Sequence, residues 1–152
     1  MCIRDSVSSM KFEVVTTKAQ LEDVFEVRKA VFVKEQDVPL DIEIDEYEHE
    51  ATHIVGYNET DKAIACARFR PYTNDSTIKV ERVAISSDQR GQGLGFKLMR
   101  FVEEQARKEG YTHAILNAQS HAQGFYERLG YHVTGSPFYE ANIEHITMKK
   151  PL

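Results

Sequence analysis

The apolar positions of this 152-residue chain change period several times, and each change marks an element. Residues 11–16 (KFEVVT) read as a short strand. Thr17 and Gln20 then stand at capping-box spacing. Behind them Leu21, Val24, Phe25, Val31 and Phe32 recur at helical spacing, with Arg28 the polar position on that stripe. This predicts a helix to about Glu35, which Pro39 prevents from continuing. Two strands follow at 52–57 and 63–72, joined by the turn Asn-Glu-Thr-Asp-Lys, and a third at 77–85. That third strand slips phase. Ile78 and Val80 alternate, but the next apolar pair is Val83 and Ile85. The odd step from 80 to 83 predicts a β-bulge near residues 81–82.

After three alternating glycines, Leu94, Leu98, Phe101, Val102 and Ala106 give a helix that Gly110 stops. A strand at 112–117 leads to Ser120 and Gln123, a second capping-box spacing. The short helix they open carries Ala122, Phe125 and Leu129 and ends at Gly130. Two last strands lie near 131–134 and 144–149. The order β-α, β-β-β, α-β-α-β-β predicts an α+β (mixed α/β) domain with helices on a largely antiparallel sheet.

Composition narrows the class. The length suits one domain, and no run approaches the ~18 apolar residues that cross a bilayer. The opening MCIRDSVSS is polar and has no h-region, so it does not read as a signal peptide. Read back into codons, MCIRDS resembles a transposon-derived sequencing adapter. Residues 1–9 are therefore expected to be a non-native or disordered leader, with Met10 the natural start and 10–152 a single domain. Cys2 and Cys66 form no CxxC or Cys/His cluster, so neither a disulfide framework nor a metal site is expected. A reducing cytoplasm suits that usage. The net charge of −5 argues against nucleic-acid binding. Eight acids and no Lys or Arg fall within residues 35–50, and removing their −8 leaves +3 for the rest. Such a segment attracts a cationic small-molecule or peptide amine, or simply forms a solvated loop.

The chemistry starts at Arg90-Gly91-Gln92-Gly93-Leu94-Gly95, between a strand and a helix. A helix N-terminus offers unpaired N–H groups, and glycines let a ligand approach them, so the position suits a phosphate or pyrophosphate. Phe96 stands where a dinucleotide fingerprint needs its last glycine, and the Gly-Lys-Ser/Thr of a Walker loop is absent. The spacing fits Arg/Gln-x-x-Gly-x-Gly/Ala instead.

The strand KVERVAI, the loop RGQGLG, the helix, the strand AILNAQ and the segment FYERLGY follow in that order. In these features the chain resembles the GNAT superfamily of N-acetyltransferases, from Met10 to Lys150. VFVKEQDVPLDIEIDEYE is similar to a branch of small bacterial members. The resemblance implies a sheet of six to seven strands with about four helices, splayed in the middle at a cofactor cleft. It implies transfer of an acetyl group from acetyl-coenzyme A to a primary amine by direct attack, without a metal. By the same resemblance Arg90, Gly91, Gln92, Gly93, Leu94 and Gly95 bind the coenzyme pyrophosphate, with Lys97 or Arg100 adding charge. Val83, Ala84 and Ile85 bond the pantetheine arm through their backbone, Asn117 touches the cofactor, and Tyr126 is the general acid that protonates the departing sulfur.

The base is open. Glu81, inside the expected bulge, is the first candidate through a raised pKa; His121 and a water are the others. A bulge N–H is the expected oxyanion donor, and Cys66 the expected buried small residue rather than a nucleophile. The alternative to an enzyme is a silent acyl-coenzyme A sensor or interaction module. The resemblance also implies a homodimer.

Overall fold

The computed structural model describes residues 10–36, 50–72, 76–90 and 93–152. The expected leader, Gly91, Gln92 and most of the acidic segment (37–49) lie outside them.

The strands are β1 (Lys11–Val14), β2 (Thr52–Tyr57), β3 (Ala63–Pro71), β4 (Thr77–Ile85), β5 (His113–Gln119), β6 (His132–Val133), β7 (Phe138–Glu140) and β8 (Ile143–Pro151). The α-helices are α1 (Lys18–Arg28), α2 (Leu94–Lys108) and α3 (Gln123–Arg128). The sheet runs β1-β2-β3-β4-β5-β8-β6, with β7 also on β8. Every pairing is antiparallel except β4 with β5. Against the seven strands and three helices read along the chain, the described residues hold one strand more and three α-helices. The extra strand is β7, three residues too short to leave a period; it turns back on β8 through Ala141 and Asn142, both at positive φ.

The Thr17–Gln20 capping box forms in full. The single long helix expected behind it does not. After Arg28 the chain passes into a π-helix, Lys29–Glu35, which holds one more residue in each hydrogen-bonded ring. The second expected box is also absent. Ser120–Ala122 makes a 3₁₀ turn, and α3 starts at Gln123 with no side-chain cap. Spacing alone identifies a cap only where the chain enters the helix in extended geometry, as Thr17 does.

Two apolar layers sandwich the sheet. On one face α2 lays Leu98, Met99, Val102 and Ala106 against Ala65, Ala67, Phe69, Ile78, Val80, Ala114 and Leu116. On the other α1 and the π-helix lay Val24, Val27 and Val31 against Val55, Cys66 and Ala84. A buried polar knot ties α2 to the sheet. Glu103, 2% exposed, accepts from the Tyr131 hydroxyl (3.0 Å) and from Lys150 Nζ (2.8 Å). Burial, and then the Glu103 charge, push the Tyr131 phenol far above its ordinary value, so it stays a donor.

Glu103→Leu removes both bonds and leaves Tyr131 without an acceptor. It is expected to cost about 2–3 kcal/mol, a fall of roughly 5–10 °C in Tm measured by thermal unfolding.

Candidate active site

The site is built where β4 and β5 part. Their parallel ladder runs from Thr77 opposite His113 to Val80 opposite Leu116. Beyond it β4 stays with β3 to Ile85, while β5 stays with β8 to Gln119. Backbone on the facing edges of Glu81–Ile85 and 117–119 has no strand partner among the described residues, so a cleft opens through the sheet.

The expected bulge forms the β4 wall. Cys66 faces Ala84 and Arg68 faces Glu81, so Arg82 and Val83 together oppose Ala67. Arg82 adopts φ 56°, a left-handed conformation that costs a non-glycine residue about 1–3 kcal/mol. Its carbonyl accepts from Cys66 Sγ at 3.5 Å. The peptide bond is trans, so the Val83 N–H points the opposite way, away from Cys66. Cys66 is a buried thiol, not in a disulfide, and anchors the bulge.

The glycine loop follows. Arg90 Nε bonds the Ile85 carbonyl (3.0 Å), tying the loop back to the end of β4. Gly93 precedes α2 at φ 76°, where a side chain would be strained, and offers no side-chain cap to the helix N–H groups. Leu94 is buried, and Lys97 is exposed on the first turn. Gly95 is needed for contact: a Cβ there would stand 3.0 Å from the Phe125 ring. Phe125 in turn lies edge-on to Tyr126 at 4.9 Å, and Tyr126 to Tyr131 at 5.8 Å. The start of α2 and the knot at Glu103 therefore hold Tyr126 from two sides. Tyr126 is 8% exposed, and burial pushes its phenol well above the ordinary value. It remains protonated through the physiological range.

Asn117 lies within β5 rather than at its end, since the strand runs on to Gln119. Its Oδ1 accepts from Thr147 Oγ1 (2.8 Å) on β8, which orients the amide at the edge where the strands part.

Glu81 departs from expectation. It sits beside the bulge, but its carboxyl is held below its usual value rather than raised. Burial alone would raise it; the hydrogen bond from Arg70 and the charges of Arg68, Arg70 and Lys79 outweigh that. Arg68 Nη2 and Arg70 Nε both stand 2.9 Å from Oε1, and Lys79 Nζ 3.6 Å from Oε2. A carboxylate so occupied is a poor proton acceptor. Sequence reasoning missed its partners, although Arg68 and Arg70 alternate within the apolar run AIACARFR. Glu81 and Tyr126 are not brought together on one face: Tyr126 packs in the α2-side core, whereas Arg68 and Glu81 share the face of Cys66.

Sequence reasoning also missed a polar chain at the rim. Gln119 Nε2 donates to Gln36 Oε1 (2.8 Å), and Gln119 Oε1 lies 2.8 Å from His121 Nε2. Gln36 stands in the quoted VFVKEQ stretch, but only the fold brings it to β5. Among the described residues, no three His, Cys, Asp or Glu side chains converge on a metal position, and no helix is long and apolar enough to cross a membrane.

The fold is similar to that of an acyl-coenzyme A N-acyltransferase from Pseudomonas aeruginosa. That structure is 28% identical, with a TM-score of 0.84, over 93% of this chain and 99% of its own. Escherichia coli ElaA has the same fold at 28% identity and a TM-score of 0.83, over 93% of this chain and 99% of its own. The uncharacterized N-acetyltransferase YjcF of Bacillus subtilis is 40% identical over 142 residues, 93% of this chain and 99% of its own length. The model of the acetyltransferase (GNAT) domain matches residues 16–152, and the chain belongs to that family.

The Glu81 geometry fixes a pH dependence. A depressed folded-state pKa contributes stability above the unfolded value, near 4.5, and that contribution is lost as pH falls through the folded one. Glu81→Gln is therefore expected to melt lower than the wild type at pH 7. The gap should close as pH falls below about 4, in paired melting curves across pH.

Proposed function

We propose that the chain transfers an acetyl group from acetyl-coenzyme A to a primary amine of a small molecule or peptide, in a ternary complex, within the cytoplasm. The observation that carries this is the parting of β4 from β5 directly before the glycine-started helix α2. An amide-bearing arm fits a strand edge that has lost its partner, and a pyrophosphate fits exposed N–H groups at a helix start. The two features follow one another along the chain, from the end of β4 at Ile85 to the start of α2 at Leu94, as pantetheine and pyrophosphate follow one another in one molecule.

Within that reading each residue has a task. Val83, Ala84 and Ile85 offer backbone groups to the pantetheine amides. Arg90, Gly91, Gln92, Gly93, Leu94 and Gly95 receive the pyrophosphate, with Lys97 adding charge. Asn117 lines the opposite wall. The amine nitrogen forms its bond to the acetyl carbon while the carbonyl oxygen gathers charge, and the Val83 N–H, turned away from Cys66, is placed to stabilise it. The C–S bond then breaks, and the sulfur takes a proton from the Tyr126 hydroxyl, which burial has kept neutral. Glu81 serves as the ion-pair centre behind the bulge rather than as the base.

The test is steady-state acetylation of an amine panel, followed by thiol release. Tyr126→Phe is expected to lower kcat by ~10²-fold, with the KM for acetyl-coenzyme A little changed. An unchanged kcat would remove Tyr126 as the acid, and no transfer to any amine by the wild type would favour a sensor.

A further inference from the structure

We infer that Gln36 and Gln119 form a positioning relay that fixes the ring of His121, and that His121 Nδ1 takes the proton an incoming ammonium must lose. This rests on the acetyltransferase reading and supplies the base that Glu81 cannot be.

The π-helix carries the first member of the relay at its end. Its last backbone bond is Gln36 N–H to the Val31 carbonyl, an i to i−5 bond at 3.1 Å. Because a π-turn holds one residue more than an α-turn, side chains fall progressively behind their α-helical directions. The π-helix continues α1, the helix packed over β2, β3 and β4, and at its end Gln36 is in contact with Gln119 on β5. The two amides meet on the α1 side of the sheet, and they are 83 residues apart in the chain. π-Turns within helices recur at functional sites, and here the turn ends at that contact.

The amide orientations then decide the imidazole. Gln119 Nε2 donates one N–H to Gln36 Oε1 at 2.8 Å, and Gln36 Nε2 donates back to Gln119 Oε1 at 3.5 Å. The same Gln119 oxygen faces His121 Nε2 at 2.8 Å. An amide oxygen only accepts, so Nε2 carries the hydrogen and Nδ1 presents a lone pair. His121 is exposed, two residues beyond the end of β5, so its ring is open to solvent. Across the pair, His145 on β8 stands opposite Gln119, with its own Nδ1 2.7 Å from the Ile143 carbonyl. It is committed to its own strand and does not compete for the relay.

The proton balance closes. A primary amine arrives as an ammonium with a pKa of about 10. His121 Nδ1 removes one proton and releases it to solvent, and the freed lone pair forms the C–N bond. The nitrogen gives up a second proton to solvent as the C–S bond breaks, sulfur gains the Tyr126 proton, and the phenolate takes one back from solvent. The products are the amide, the thiol and one proton in solution.

Kinetics on full-length variants test this, with coenzyme A affinity measured in parallel by calorimetry. His121→Ala is expected to lower kcat by ~10²-fold or more, to leave coenzyme A affinity within about twofold, and to regain activity with imidazole in the buffer. Gln119→Leu and Gln36→Leu should each lower kcat by roughly tenfold. Neither should lower it further in the His121→Ala background, because residues acting as one unit are not additive. A spectroscopic arm needs no substrate. In long-range ¹H–¹⁵N spectra His121 should show only the Nε2–H tautomer, and Gln119→Leu should give a mixture. The relay is overturned if His121→Ala keeps kcat within twofold while the wild type acetylates. It is also overturned if imidazole rescues nothing, or if the tautomer is the same in wild type and Gln119→Leu. Loss of coenzyme A binding and transfer in the wild type itself would overturn the acetyltransferase reading, and the relay with it.

Discussion

The separation of β4 from β5 after Val80 and Leu116 is the constraint on which the rest depends. Two neighbours pull the strands apart. β5 is held to β8 along its whole length, His113 opposite Pro151 through Gln119 opposite His145. β4 is held to β3, but its bulge twists the path at Arg82 and Val83. Parting strands leaves backbone donors and acceptors without partners, which a protein interior does not ordinarily tolerate. The fold accepts that cost together with a left-handed Arg82, and strain of this kind gathers where a ligand completes the structure.

A gap of this sort needs rigid walls. On one face the contacts run from Gly95 through Phe125 and Tyr126 to Tyr131, and from there into the Glu103–Lys150 knot. Packing to near-crystalline density means that the first turn of α2 and the tyrosine hydroxyl move together. On the other face the Cys66 thiol and the Arg68–Glu81–Arg70 ion pairs fix the bulge from behind. Buried ion pairs add little net stability, but breaking one strands a charge, so they hold a geometry well. The side chain that looked most like a base from its place in the strand is thus part of the frame.

Much of this was legible in the sequence because period carries topology. The odd step from Val80 to Val83 located the bulge. The strand–glycine–helix order and FYERLGY carried the family resemblance that implied a splayed sheet, and the Thr17–Gln20 spacing located the first cap. Other features depend on partners distant in sequence and leave no local trace. Nothing near Glu81 in the strand pattern announces that two arginines of β3 will lower its pKa rather than burial raise it. The transition from α1 to a π-helix obeys no composition rule, and without it Gln36 has no reason to be matched with Gln119. β7 is set by pairing on β8, which three residues cannot encode alone.

The most direct test of the account is the melting temperature with and without acetyl-coenzyme A, with ATP and NAD as controls. If the parted strands and the start of α2 hold pantetheine and pyrophosphate together, ligand at 100 times its Kd adds about 2.7 kcal/mol, roughly 5–10 °C. That rise should come with acetyl-coenzyme A and not with either nucleotide. No rise at saturating acetyl-coenzyme A, or equal rises with all three ligands, would contradict the claim that this cleft is built for a coenzyme A thioester.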